Sequence, residues 1–138
     1  MTHTVRILLV EDFEPWRRFV GSLLQEIPEW QIVGESSDGL GAVQKATELR
    51  PDLILLDIGL PKLNGIEAAR QIRKLIPESK VIFLSQQHSA GVVVEALSFG
   101  AQGYVFKTSA GSDLLTAIKA VLEGGQFVSC GLLTGEPT

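Results

Sequence analysis

The sequence predicts an α/β domain, a (βα)5 doubly wound parallel sheet, and three observations carry that expectation. Five short apolar runs alternate with five stretches of helical periodicity, the pattern of βα units joined by right-handed crossovers. The first run, VRILLV at residues 5–10, has no regular polar alternation, as expected when both faces of a strand are covered. Four of the runs end in, or just before, a chemically capable residue. ILLV (residues 7–10) leads into Glu11 and Asp12, LILL (53–56) into Asp57, VIFL (81–84) into Ser85, and YVF (104–106) into Lys107. In a parallel sheet these ends share one edge, where open α/β sheets bind ligands.

Each element has a local reason. Pro15 suits the first turn of a helix over residues 15–25, which stops before Pro28. Residues 31–35 form a weaker, partly polar strand suited to the sheet edge. Asp38 is placed to cap a helix with Leu40, Val43, Ala46 and Leu49 inward, closed by Pro51. The loop GLPKLNG (residues 59–65) precedes a helix with Ile66, Ala69, Ile72 and Ile76 on its buried face. Residues 81–84 and 103–106 are the fourth and fifth strands, with a helix over residues 92–99 between them and Gly100 as its left-handed C-terminal cap. Gly91 and three successive valines make a poor start to that helix, and the valines cannot all face the core. Ser112 is the candidate N-cap of the last helix, where Leu114, Leu115, Ile118, Val121 and Leu122 recur at helical spacing up to Gly124 and Gly125. The expected division is a domain over residues 1–125 and a turn-rich tail over 126–138.

Composition bounds the function. With 138 residues, 45% of them hydrophobic and 20% charged, the chain is one globular domain of ordinary size. A net charge of −4 and the absence of any Lys/Arg run argue against direct nucleic-acid binding. No apolar stretch is long enough for a membrane span, and MTHTVRI has no signal-peptide pattern, so a cytoplasmic protein is expected. The single cysteine, Cys130, allows no intrachain disulfide and no cysteine-based metal cage. His3, His88, Cys130, Trp16 and Trp30 read as packing or surface residues.

The motifs LLVED, LLDIGLPKLNG, FLS and GAQGYVFK, each at a strand end and in register with the βα units, resemble the receiver domain of bacterial two-component response regulators. The likeness runs from about Val5 to Gly125, and GYVFKTSAGSDLLTAIKAVLEGG is most similar to receivers of the LuxR/FixJ-type subfamily, whose members often carry a helix-turn-helix domain. The resemblance implies the flavodoxin-like strand order 2-1-3-4-5. It also implies Asp57 as the phosphoacceptor, Lys107 and Ser85 as ligands of the phosphoryl oxygens, and Ser85 with Tyr104 as a switch pair. Asp12, Asp57 and the Gly59 backbone carbonyl would bind Mg²⁺ or Mn²⁺, with Glu11 acting mostly through water.

The residue types agree with that chemistry. Carboxylates about 5 Å apart repel by roughly 3 kcal/mol per pair at an effective dielectric near 20. Three together need a cation or must take up protons, and hard oxygen donors favour Mg²⁺ or Mn²⁺. A two-state switch moved from 1:99 to 99:1 needs about 5.5 kcal/mol. Hydrogen bonds to a charged group supply roughly 1.5–3 kcal/mol each, so Ser85 and Lys107 together nearly suffice.

Three positions depart from the family's common pattern: Gln86 replaces a small residue, Thr108 stands where many receivers have proline, and Gly59 contributes no side chain. The expected role is a phosphoacceptor module that takes its phosphoryl group from a histidine kinase or phosphotransfer protein. It would switch the face formed by the fourth helix, fifth strand and fifth helix, and catalyse only its own phosphorylation and dephosphorylation. A homodimer through that Val-rich face is a further expectation, and the downstream partner or linked output domain is unspecified. The main alternative is a constitutive protein-interaction module that keeps the site unused. An aspartyl-phosphate phosphatase fits poorly, because Gly59 stands where its second Asp would be. A nucleotide or flavin module fits poorly too, because EDFEPWRR has no Gly-rich turn.

Overall fold

A computed structural model describes residues 4–87 and 89–129. Its elements run β1 (Val5–Val10), α1 (Glu14–Leu24), β2 (Trp30–Ser36), α2 (Gly39–Leu49), β3 (Leu53–Leu56) and α3 (Gly65–Leu75). They continue as β4 (Lys80–Ser85), α4 (Ala90–Ser98), β5 (Gly103–Phe106), a 3₁₀ turn at Lys107–Ser109, α5 (Ala110–Leu122) and β6 (Phe127–Val128). All strands are parallel, in the order β2-β1-β3-β4-β5-β6. The expected 2-1-3-4-5 sheet is therefore present, with one strand added beyond β5.

The unalternating strands follow from a sheet covered on both faces. Successive side chains point to opposite faces, and here both faces are dry. Leu8, Val10, Ile54, Leu56 and Phe83 meet Ala42 and Ala46 of α2, Ala69 and Ile72 of α3, and Val93 and Ala96 of α4. Ile7, Leu9, Leu53, Leu55 and Leu84 meet Val20 and Leu24 of α1 and Leu114, Ala117 and Ile118 of α5. All of these are essentially fully buried. Among the described residues no helix is long and apolar enough to cross a membrane.

Several local expectations hold. Asp38 caps α2, accepting from the Gly41 N–H at 2.7 Å. Gly100 is left-handed (φ 96°) after α4. Of the three valines, Val93 is buried and Val94 is 64% exposed.

Other elements differ. Helix α4 starts two residues earlier than its valines suggest, because Ser89 caps it and accepts from the Val92 N–H. In α2 the buried stripe runs through Ala42 and Ala46, and Leu40 is 54% exposed, so the inward face is rotated from the expected one. Ser112 is not the cap of α5. The chain passes from β5 through the 3₁₀ turn directly into α5 at Ala110, whose burial rewards the earlier start. Ser112 lies inside the first turn and donates to the Ser109 carbonyl.

The tail expected from residue 126 begins instead with β6. Phe127 and Val128 pair with Gly103 and Tyr104. The Ser129 N–H donates to the Tyr104 carbonyl at 2.9 Å. Its buried hydroxyl accepts from the Phe106 N–H at 3.1 Å and donates to Asp113 Oδ2 at 2.8 Å. His3, His88 and Cys130 lie outside the described residues.

Candidate functional site

The parallel order brings the carboxyl ends of β1, β3, β4 and β5 to one edge. The Glu11 N–H donates to the Ser36 carbonyl and the Asp57 N–H to the Val10 carbonyl, which fixes both acids just past the strands. A Cβ on Gly65 would collide with the backbone of Asp57 and Ile58, so glycine there lets the β3–α3 loop fold tightly under the site. Asn64 then caps α3, accepting from the Glu67 N–H.

The expected residues converge. Glu11, Asp12, Asp57, Gly59, Ser85 and Lys107 line one cavity of about 650 Å³. Glu11, Asp12 and Asp57 each present a carboxylate oxygen within 4.8 Å of the others. Glu11 and Asp57 are buried and Asp12 is exposed. Lys107 Nζ lies 2.7 Å from Glu11 Oε1 and 3.3 Å from Asp57 Oδ2.

Burial pushes the Glu11 carboxyl up from its ordinary value of 4.5. The hydrogen bonds from Lys107 and the Phe13 N–H pull it down, and the neighbouring Asp57 charge adds to the rise. The Lys107 ammonium pairs with Glu11 and Asp57, two of the three carboxylates, so the cluster retains acidic character. Its all-oxygen donor set, compact and partly open to solvent through Asp12, fits a hard divalent cation.

Ser85 and Tyr104 are linked through the β4–α4 loop. Ser85 Oγ accepts from the Gln87 N–H at 3.0 Å, and the Tyr104 hydroxyl donates to the Gln87 carbonyl at 3.0 Å. Tyr104 is fully buried between Phe83 and Phe106, whose rings lie 6.1 and 5.7 Å from its own. Gln86 and Thr108 sit on the cavity wall, and no cis peptide occurs among the described residues.

Residue-by-residue reading of the sequence missed the Glu11–Lys107 pair and two aromatic walls. Phe13 and Trp16, three apart at the start of α1, both line the cavity, and Lys107 Nζ stands 5.4 Å from the Trp16 ring centroid. Their spacing beside the acid pair was the available signal, since residues i and i+3 share a helix face. Arg17, next to Trp16, donates to the Glu11 carbonyl at 2.7 Å and pairs with Glu35 at 3.4 Å, bracing the β1–α1 turn.

The family model for the response regulator receiver domain matches residues 7–119. The chain is 35% identical over 124 residues to the transcriptional regulatory protein DegU of Brevibacillus brevis, covering 90% of this chain and 52% of DegU. It is 36% identical over 120 residues to the response regulator protein VraR of Staphylococcus epidermidis, covering 87% of this chain and 57% of VraR. The chain thus spans about half the length of the curated relatives it matches. Among solved structures it resembles a two-component response regulator of the LuxR family from an Aurantimonas species, with a TM-score of 0.90 and 31% identity over 95% of this chain and 94% of that one.

Proposed function

The chain belongs to the response regulator receiver domain family, and on that premise we propose that it is a phosphoacceptor module of a two-component phosphorelay with Asp57 as acceptor. The observation that carries the proposal is the meeting of Asp57 with two further carboxylates and Lys107 around one open cavity. A carboxylate oxygen of Asp57 attacks the phosphorus of a donor, either the phosphohistidine of a kinase or phosphotransfer protein or a small acyl phosphate. The bond from phosphorus to the donor atom breaks, its electron pair leaves with the donor, and the phosphoryl group remains on Asp57 as a mixed anhydride.

Lys107 lies within reach of Asp57 Oδ2 and would neutralise a phosphoryl oxygen. Ser85 would donate to another. A Mg²⁺ or Mn²⁺ ion held by Glu11, Asp12, Asp57 and the Gly59 carbonyl would supply the remaining charge neutralisation. The chain acts on its own Asp57 and is in that sense no enzyme toward other substrates.

Drawing Ser85 toward a phosphoryl oxygen would displace the Oγ that accepts from the Gln87 N–H, and the Gln87 carbonyl also holds Tyr104. This linkage supports a readout through α4, β5 and α5, with a downstream protein or linked output domain as receiver of the signal. DegU is named a transcriptional regulatory protein, and an output of that kind would reside in the half of such a protein that this chain does not span. A cytoplasmic site of action follows from the same reading.

Intact-protein mass spectrometry after incubation with acetyl phosphate tests it. Wild type is expected to gain one phosphoryl group only with Mg²⁺, and Asp57→Ala none. Absence of both the adduct and a beryllofluoride complex in wild type would overturn the proposal in favour of an interaction module.

A further inference from the structure

We propose that Trp16 is a positioning residue for Lys107, its indole face holding the ammonium in line with Asp57; the inference deepens the phosphoacceptor reading and rests on it. Lysine is a compact charge on a flexible four-carbon stem, and ordering it costs rotamer entropy. Two groups restrain Lys107 from the acid side, Glu11 at 2.7 Å and Asp57 at 3.3 Å. Both would be drawn into metal and phosphoryl binding in the proposed reaction, so they cannot by themselves keep the ammonium in place throughout it. The third neighbour can. The Trp16 ring centroid is 5.4 Å from Lys107 Nζ, within the range over which an aromatic face attracts a cation.

Three features separate this role from plain packing. Trp16 lines the same cavity as Asp57 and Lys107. It is carried by the first turn of α1 and propped by Phe19, whose ring lies 5.0 Å from its own, so a rigid element sets its position. Its indole N–H is buried and has no hydrogen-bond partner among the described residues. Buried tryptophans usually satisfy that donor, and an unmet one makes Trp a costly choice where Leu or Phe would fill the space. What Trp offers beyond them is the strongest π face, and here that face meets an ammonium.

The test is a cycle of Trp16→Leu and Trp16→Phe in wild-type and Lys107→Met backgrounds. It reads the rate of phosphoryl gain from acetyl phosphate with Mg²⁺, and thermal melting checks folding. Trp16→Leu is expected to slow wild type by about three- to tenfold. Trp16→Phe should recover most of the rate, and neither change should matter once Lys107 is Met. An equal loss from Trp16→Leu in both backgrounds, or no loss in either, would overturn the inference.

A second readout needs no phosphorylation and no change at Trp16. In Trp30→Phe protein, where Trp16 is the sole tryptophan, Lys107→Met should change the Trp16 emission. This readout decides wherever a background takes up no phosphoryl group or a Trp16 variant does not fold. Unchanged emission there would overturn the inference. Failure of wild type to be phosphorylated, with the emission change intact, would instead count against the phosphoacceptor reading.

Discussion

Burial pushes the Tyr104 phenol up from its ordinary value of 10.0; the neighbouring Ser85 hydroxyl offsets part of the rise and the Asp57 charge adds to it. The folded protein therefore holds this proton more tightly than the unfolded chain. The resulting stability is fully present below the unfolded value and is lost as pH rises through the folded one. Tyr104 is the only tyrosine in the chain, so tyrosinate absorbance reports it alone. The expected midpoint lies above 10 in native protein and returns to about 10 in denaturant. A native midpoint at the denatured value would mean that the ring spends its time outside the pocket between Phe83 and Phe106. At this scale the sequence was most legible where chemistry sits at a strand end: Glu11, Asp12, Asp57, Ser85 and Lys107 all reach the cavity. It was least legible where two side chains choose each other. Nothing in the order of residues says that Lys107 takes Glu11 as its nearest partner or that Trp16 lies over it, because both contacts are made only once β1, α1 and β5 are assembled.

Elements are legible in the sequence where a local signal decides them, as with the apolar run of β3 and the Asp38 cap of α2. They are not legible where packing decides. Leu40 falls on the helical period yet faces out, because the two alanines Ala42 and Ala46 let α2 approach the sheet closely. Ser112 has the chemistry of a cap, but burial of Ala110 starts the helix earlier. Strand β6 gives no sequence signal, since two residues between GGQ and Ser129 carry no period and their partner strand is supplied by the fold. Its anchoring is testable through Ser129, whose hydroxyl makes one bond to β5 and one to α5. Ser129→Ala removes both, at a net of about 0.5–1.5 kcal/mol each, so a loss of about 1–3 kcal/mol is expected. Urea denaturation should show a lower midpoint with an unchanged slope. An unchanged midpoint would mean that the strand contributes nothing to the global unfolding step.

For the molecule as a whole, the proposed metal site would couple ion binding to stability. Glu11 ionises later in the folded protein than in the unfolded chain, so in metal-free protein its ionisation costs stability as pH rises from 4.5 through the folded value. A divalent cation bound there would favour the ionised form and oppose that loss. Mg²⁺ at a hundred times its Kd should stabilise wild type by about 2.7 kcal/mol. The gain should shrink as pH falls into the raised Glu11 range and be largely absent in Asp12→Ala. Calorimetric melting with and without Mg²⁺ measures it, and equal gains in both proteins would place the ion elsewhere. The sixth strand bears on all such measurements. A boundary drawn at residue 119, where the family match ends, or at 125, falls before it and turns β5 from an interior strand into a border. The border so made would present unpaired N–H and C=O groups along the line now met by Phe127, Val128 and Ser129. Bare strand borders are templates for another chain, so copies trimmed there would tend to zip together side by side. An oligomer found in such a trimmed protein but not in the longer chain would report the cut, and the association state of this domain is to be measured on a chain that keeps residues 127–129.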